Sequence, residues 1–276
     1  MLGKLVLPTE SQTLTLTGEY YNQKVNVDQL SVIDSVSSGY ATKSYVQNQD
    51  LTRWRISLDQ EWDAGLVFAD SLEWQATYQP QTVDSSGVRM RESTATAVWD
   101  ELTKARSYTQ DFIEFDAQLN KQFDLFGQVS NNLIYGLDFS YKIERYSGED
   151  VTVNQTTGAI TINDRAGFFF ADANTLRLDG FAQNEFGFFG DRLILTPGLR
   201  YSFTQIDPRP QWNFVEIAGF EPVRTNYSDL LVAVSLLYKV DENVSLYSSY
   251  GQGFKTPTAA QLYTFTGTGG NFSQVP

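Results

Sequence analysis

The side chains able to do chemistry in this chain are its carboxylates, its lysines and arginines, and its tyrosines. The sequence contains no His and no Cys, and most acid–base, nucleophilic and zinc sites depend on those two residue types. A Ser, His and Asp set cannot be assembled from it, which argues against a lipase or a protease. We therefore expect no enzyme activity, no catalytic residues, no metal site and no intrinsic cofactor.

The charge balance is acidic. Asp and Glu number 33 against 20 Lys and Arg, which gives a formal net charge of -13. Phosphate recognition needs a basic footprint that this composition does not supply. No nucleic-acid partner is expected.

The charged residues follow a regular pattern. In several segments polar and apolar side chains alternate, as where Arg53 and Arg55 are separated by Trp54. A period of two is that of a β-strand, whose successive side chains point to opposite faces of a sheet. These charged side chains either contact another domain or are polar because their face is wet. On this assignment the polar face carries Arg53, Arg55, Glu61, Glu73, Glu114, Lys142, Arg177, Asp179 and Arg200. If the strands close into a barrel, the residues predicted to line its lumen are Arg53, Arg55, Glu73, Glu114, Lys142 and Arg200.

The alternation predicts about nine strands. They lie near residues 12–21, 51–62, 68–79, 108–122, 129–145, 174–187, 192–205, 228–239 and 244–254. Short connections are predicted at 63–67, 123–128, 188–191 and 240–243, and long loops at 22–50, 80–107, 146–173 and 206–227. Short turns at one end and long loops at the other are typical of outer-membrane barrels.

The strand lengths distinguish two all-β alternatives. Strands of soluble β-sandwiches typically have about 5 to 6 residues, whereas about 9 to 11 are needed to cross a bilayer. Aromatic residues also gather at strand ends, with Trp62 and Phe123 beside short connections and Tyr20 and Tyr78 beside long ones, as in the girdles of membrane barrels. The sequence favours an antiparallel transmembrane β-barrel, surrounded by the lipid of the bacterial outer membrane, over a soluble sandwich.

Nine strands do not close a single-chain bacterial barrel. Residues 4–7 are predicted to end an earlier strand, and the chain stops within a loop. We therefore expect residues 1–276 to be a partial barrel domain, an incomplete run from a barrel of about 22 strands, without a plug domain and without the C-terminal strands. Pro197 predicts a bulge or distortion in its strand, and residues 151–164 predict a small hairpin.

The most specific motif extends from Tyr247 to Tyr263 and reads YSSYGQGFKTPTAAQLY. It resembles the FRAP-type box of TonB-dependent receptors, Y-x-x-G-F-[RK]-A-P-x-x-x-x-L-Y, with Thr256 in place of the usual Ala. Residues 196–201, TPGLRY, are similar to the T-P-G-[LV]-R-[YF] strand of the same family, and residues 2–5 to the start of its haem, haemoglobin, transferrin and lactoferrin receptors. The box positions that match are Gly253, Phe254, Lys255, Pro257, Leu262 and Tyr263.

The resemblance implies active import of an iron source, haem or haem taken from haemoglobin, through a barrel that holds a plug. Its implied partners are the TonB complex, acting through the plug region, and an extracellular haem protein or iron chelate. Catecholate siderophore receptors have a similar G-F-K-A-P box, so a ferric siderophore is the alternative ligand. A passive porin-type channel without a plug is the remaining alternative.

Haem receptors of this family often carry a ligand His between this box and a following N-P-N-L box. That role cannot be transferred, because the sequence has no His. Tyr263 is a chemically possible haem ligand, since Tyr can bind haem iron. Alternatively, it is an aromatic side chain that packs beside a loop.

Overall fold

The computed structural model describes residues 1–96, 98–164, 171–211, 214 and 221–263. These residues form one antiparallel sheet of twelve strands with a short helix, α1, at Ala259–Tyr263 and a 3₁₀ turn at Leu30–Val32. The strands are β1 Leu2–Pro8, β2 Gln12–Asp28, β3 Val36–Ser37, β4 Tyr40–Asp63, β5 Ser71–Ser93, β6 Trp99–Leu125, β7 Val129–Asn154, β8 Ile160–Asp164, β9 Asp172–Phe188, β10 Leu193–Arg209, β11 Thr225–Lys239 and β12 Ser245–Gly251.

Ten of the strands follow one another in chain order across the sheet. Each pairs with its neighbours in the sequence, in the order β1-β2-β4-β5-β6-β7-β9-β10-β11-β12, while β3 and β8 pair only with β4 and β7. Within the described residues β1 and β12 do not pair with each other, so the sheet is open. The all-β antiparallel prediction is confirmed, with ten consecutive strands rather than nine because residues 2–8 form a full edge strand.

The connections define two ends of the sheet. Residues 9–11, 64–70, 126–128, 189–192 and 240–244 join strands at one end, here called the turn end, and the opposite end is called the loop end. Two turns share a Phe-Gly pair with positive φ, Phe126-Gly127 and Phe189-Gly190. Positive φ is uncommon for a bulky residue, so these tight turns hold both phenylalanines in a strained conformation.

Three of the four predicted long loops are wrong. Residues 22–50, 80–107 and 146–173 are largely strand, since β2, β4, β5, β6 and β7 run far beyond their predicted ends and β5 and β6 are joined by only residues 94–98. Outside a bilayer both faces of a strand are wet, and the apolar alternation that identifies a strand therefore fades. Of the fourth loop, 206–227, residues 212, 213 and 215–220 lie outside the described residues.

Two smaller predictions concern local strand structure. The predicted hairpin is confirmed, because β8 pairs with Glu149–Val153 of β7. At Pro197 the pairing with β9 is interrupted for two residues, from Leu195 opposite Phe186 to Gly198 opposite Gln183, without a change of register. Pro80 accompanies a similar interruption between β4 and β5. A proline cannot donate the ladder hydrogen bond, which accounts for both gaps.

The two faces of the sheet differ in polarity. One surface of the sheet, here called the outer face, carries large apolar side chains that are one third or more exposed. In a water-soluble chain so wide an apolar patch would be covered. These side chains include Leu16, Trp54, Ile56, Ile113, Leu137, Leu178, Leu199, Leu230, Val232 and Val234. The alternate positions form the polar inner face, and the small buried apolar cluster lies at the loop end around Ile206 and Tyr263.

In the part of the chain that the structure describes, no helix has both the length and the apolar character needed to span a membrane.

Candidate functional site

The inner face brings acidic residues from separate strands into one row. Asp59, Gln75, Asp116, Asp138 and Asp179 lie directly opposite one another, strand by strand, from β4 to β9. The next row toward the turn end adds Glu61 and Glu73. This set of residues is here called the acidic rows, and its part from β4 to β7 lines a cavity of about 310 Å³.

Arg200 binds the two carboxylates at the β9 end of these rows. Its Nη2 donates to Asp138 Oδ2 and, at 2.5 Å, to Asp179 Oδ2. Arg177 Nη2 reaches the same Asp179 oxygen at 2.6 Å, and Ser202 Oγ donates to the other at 2.7 Å. Asp179 has a side-chain exposure of 0%. A fully buried carboxylate needs such charged and hydrogen-bonding partners to remain ionised.

Glu61 and Glu73 face each other without such a cation. They lie directly opposite across β4 and β5, both are exposed on the inner face, and neither forms an ion pair with another described residue. Glu114 of β6 lies directly opposite Thr77 of β5. It likewise forms no ion pair with another described residue. Like charges directly opposite each other on a sheet are destabilising. A cationic surface packed against the inner face would therefore reduce this repulsion.

The other predicted inner-face cations have local partners. Arg53 Nη2 lies 2.6 Å from Glu19 Oε1, and Arg55 Nη2 donates to Thr77 Oγ1 at 3.4 Å. Lys142 Nζ lies 3.1 Å from Glu144 Oε2. The strand register places all six predicted lumen-lining residues on one face, Arg53, Arg55, Glu73, Glu114, Lys142 and Arg200.

The FRAP-like box leaves the sheet at the end of β12. Gly253, Phe254, Lys255 and Pro257 form an irregular segment that leads to α1. Thr258 Oγ1 accepts from the Gln261 amide at 3.2 Å while Gln261 Oε1 accepts from the Thr258 amide at 2.9 Å. This reciprocal pair is a capping box, which explains why the sequence T-A-A-Q starts a helix here.

Tyr263, the last residue of α1, is anchored at the loop end. It is 3% exposed, and its hydroxyl donates to Val223 O at 2.8 Å. Its ring belongs to a buried cluster with Ile206 and Ala173 from the inner face, and Leu262 packs against that cluster. Burial raises the pKa of the Tyr263 hydroxyl. A buried neutral phenol that already donates to a carbonyl is poorly placed to become a tyrosinate ligand.

A second cavity, of about 1090 Å³, extends along the loop-end halves of β2, β4, β5, β6 and β7. One cross-strand row within it consists of directly opposed residues, Val25, Gln49, Ser85, Arg106 and Gly148. Arg106 lies across Gly148, where an added Cβ would be 2.8 Å from Arg106 Cδ. The absence of a side chain at Gly148 therefore lets the arginine lie flat and reach Asp150 Oδ1 at 2.6 Å.

Polar contacts close one side of this cavity. The Tyr146 amide donates to Asp172 Oδ1 at 2.8 Å, and Gln211 Nε2 donates to the same oxygen. Burial raises the pKa of Asp172 above its ordinary value and that of the Tyr146 hydroxyl to about 12. Sequence reasoning assigned this region to loops and so missed the cavity. In the sequence, the feature that indicates a cavity here is a set of small residues on neighbouring strands, Ser85, Ala105 and Gly148.

Residues 4–275 match the family model described as TonB dependent receptor-like, beta-barrel. The chain belongs to that family. TonB-dependent receptors are outer-membrane β-barrels, and barrels of this kind turn an apolar band toward lipid, with short turns on the periplasmic side and longer loops on the extracellular side.

Two solved receptors are similar in structure. The ferric preacinetobactin receptor BauA of Acinetobacter baumannii has 14% identity and a TM-score of 0.54, over 90% of this chain and 38% of its own. The haemophore receptor HasR of Serratia marcescens has 14% identity and a TM-score of 0.47, over 96% of this chain and 44% of its own. The chain thus spans less than half the length of either receptor. No curated protein sequence matches it.

Proposed function

We propose that this chain forms part of the wall of a TonB-dependent receptor that imports an iron source, haem or haem taken from haemoglobin. Energy from the TonB complex reaches the receptor through a plug that fills the barrel, and an extracellular haem protein or iron chelate delivers the ligand. The residues that match the box support this assignment: Gly253, Phe254, Lys255, Pro257, Leu262 and Tyr263. No group resident in the protein takes part, because haem is the cargo.

The acidic rows carry the proposal. Glu61 and Glu73 lie on the inner face as an opposed pair, and Asp116 lies directly opposite Asp138. A row of carboxylates without enough cations in its own wall is stable when a basic surface of another domain lies against it. A plug with arginines or lysines on its flank meets that need, whereas the water of an open pore would only screen the repulsion.

A ferric catecholate siderophore is the second candidate ligand. The G-F-K-x-P spelling of the box fits siderophore receptors as well. In addition, the hydroxyl of Tyr263, the tyrosine that ends the box, is already bonded to Val223 O, so this segment does not present a free axial ligand for haem. A siderophore brings its own iron ligands and requires none from the wall.

Growth on a defined iron source tests the proposal. The full-length gene, expressed in a strain that lacks its own haem and siderophore receptors, should restore growth on haem or haemoglobin as sole iron source. Growth should disappear when TonB is deleted, because energy transfer is then lost. Growth that persists without TonB would contradict active import and favour a passive channel. Growth on a catecholate siderophore alone would make the siderophore the ligand.

A further inference from the structure

The connection between β4 and β5 folds onto the lipid-facing surface. Lys121 Nζ, on the outer face of β6, donates to Leu66 O at 3.2 Å and lies 2.6 Å from Asp70 Oδ1. Further along, the Tyr135 hydroxyl of β7 donates to Phe68 O at 2.9 Å. The connection therefore passes over β5 and β6 and reaches β7. It is held on the outside of the barrel at the periplasmic end.

This fold leaves a groove between the connection and the wall. The groove has a volume of about 550 Å³ and is lined by Val67, Phe68, Lys121, Phe123, Leu133, Tyr135 and Ala182. Its floor is apolar, since Leu133 and the small Ala182 come from neighbouring strands. Val67 is 95% exposed and Phe68 59% exposed, so apolar side chains also form the free edge. A groove of this composition continues the lipid-facing surface rather than the aqueous one.

One end of the groove carries a charge pair of both signs. Lys121 lines the groove and Asp70 lies beside it. Their side chains are 24% and 45% exposed, so both remain partly accessible. The hydrogen bond from Lys121, followed by that from the Gln122 amide, holds the pKa of the Asp70 carboxyl below its ordinary value. The Asp70 carboxyl is therefore ionised at neutral pH. An ammonium and a carboxylate side by side complement a phosphate and an ammonium side by side.

We propose that this groove binds one zwitterionic phospholipid of the periplasmic leaflet. An acyl chain lies along Leu133 and Ala182 beneath Phe68, the headgroup phosphate contacts Lys121, and the headgroup ammonium contacts Asp70. The bound lipid holds the β4–β5 connection against the wall. An anionic phospholipid fits less well, because its headgroup offers no cation to Asp70.

Native mass spectrometry of the full-length receptor tests this site. The receptor, purified in a mild detergent, is titrated separately with phosphatidylethanolamine and with phosphatidylglycerol. We expect one tightly retained phosphatidylethanolamine and weaker, unsaturated binding of phosphatidylglycerol. The double variant Lys121→Gln/Asp70→Asn keeps hydrogen-bonding groups but removes both charges, and should weaken retention about fivefold, as expected for an exposed charge contact.

Two further variants make the result specific. Ala182→Trp fills the groove without touching the charge pair and should abolish retention. Lys24→Gln/Asp50→Asn removes a comparable ion pair of 3.1 Å at the extracellular end and should leave retention unchanged. Equal retention of the two lipids by the unmodified receptor, or unchanged retention in Ala182→Trp, would overturn the proposal. Heat-modifiable migration on gels confirms that each variant is folded.

Discussion

Gly136 and Phe181 lie directly opposite each other on β7 and β9, and the Phe181 ring occupies the space that a side chain at position 136 would need. A Cβ at Gly136 would be 2.8 Å from Phe181 Cζ and would collide with Ala117 O. The Arg200 guanidinium carbon lies 5.9 Å from the centre of the same ring. The absence of a side chain at Gly136 thus lets the Phe181 ring lie against the sheet beside the acidic rows. There the ring packs against Arg200, the residue that binds Asp138 and Asp179.

Substituting Gly136 by Ala should destabilise the barrel. The nearest obstacle is a backbone carbonyl, which cannot rotate away, so the strands must shift at a cost of about 1–3 kcal/mol. Urea unfolding of the full-length receptor in lipid vesicles measures the change. Gly180→Ala is the matched control, because nothing lies within 4 Å of its added Cβ. Equal stability of the two variants would contradict this packing role.

Removing the Arg200 cation should leave the Asp138 and Asp179 carboxylates to repel each other. In Arg200→Met, Asp138 and Asp179 remain opposite each other, and only Arg177 still pairs with Asp179. Arg200 is 37% exposed, which screens part of the interaction, so we expect a loss of about 1–3 kcal/mol. Adding Asp138→Asn to Arg200→Met should recover part of it, as a double-mutant cycle would measure. A purely additive cycle would show that the two residues do not interact.

The sequence predicts the membrane-spanning part of this fold well, for a physical reason. Between Trp54 and Trp62, or between Ile113 and Leu119, one face meets lipid and the other meets a polar interior, so hydropathy alternates with each residue. The same contrast correctly indicated which charged residues share a face. This contrast disappears beyond the bilayer, and for that reason the sequence predicts loops where β5 and β6 continue as strands.

Which charged side chains contact one another is harder to predict from the sequence than which face of the sheet they lie on. Arg200 and Asp179 were both expected on the polar face, but their contact depends on the register between β9 and β10, which Pro197 interrupts without shifting. Asp138, the third member, is separated from Arg200 by 62 residues in the sequence. Register and distance of this kind follow from the whole set of strand pairings, which no single segment encodes.

The acidic rows should hold the plug closed. In the full-length receptor, Glu61→Gln/Glu73→Gln removes the opposed charges while preserving side-chain size, and should weaken the attachment of a basic plug. Planar-bilayer recordings with about 3 M urea present, which loosens domain contacts, should then show more frequent channel openings than the unmodified receptor. Thr13→Val, on the same inner row, is a neutral control. Fewer openings in the double variant would contradict a cationic partner.

The loop end of the sheet should respond to acid through Asp207. Arg224 Nε lies 3.0 Å from Asp207 Oδ1 and Arg209 approaches the other oxygen. The hydrogen bond from Arg224, with the charge of Arg209, lowers the pKa of Asp207 below its ordinary 3.8. The link is therefore present above the unfolded-state pKa and is lost as the pH falls through the lower folded-state pKa.

A spin label can report this loss. These 276 residues contain no Cys. In a full-length receptor without other cysteines, Val223→Cys therefore gives a single labelling site next to Arg224. The label should become more mobile only below about pH 4, and in Asp207→Asn it should be mobile at every pH. A label at Val36→Cys, on β3 elsewhere at the loop end, serves as the control. Identical profiles with and without Asp207 would exclude this ion pair as the cause.

Tyr263→Phe separates an anchoring role from a ligand role. Loss of the hydroxyl removes the 2.8 Å hydrogen bond to Val223 O and should cost about 0.5–1.5 kcal/mol of local stability, seen as faster hydrogen exchange in residues 259–263 and 221–225. The ring still fills the cluster around Ile206, so the barrel should remain folded. If haem binds the full-length receptor, its Soret maximum should be the same in Tyr263→Phe, because the buried phenol is held neutral by burial. A shifted maximum would instead identify Tyr263 as an iron ligand and would require α1 to leave the wall when haem binds.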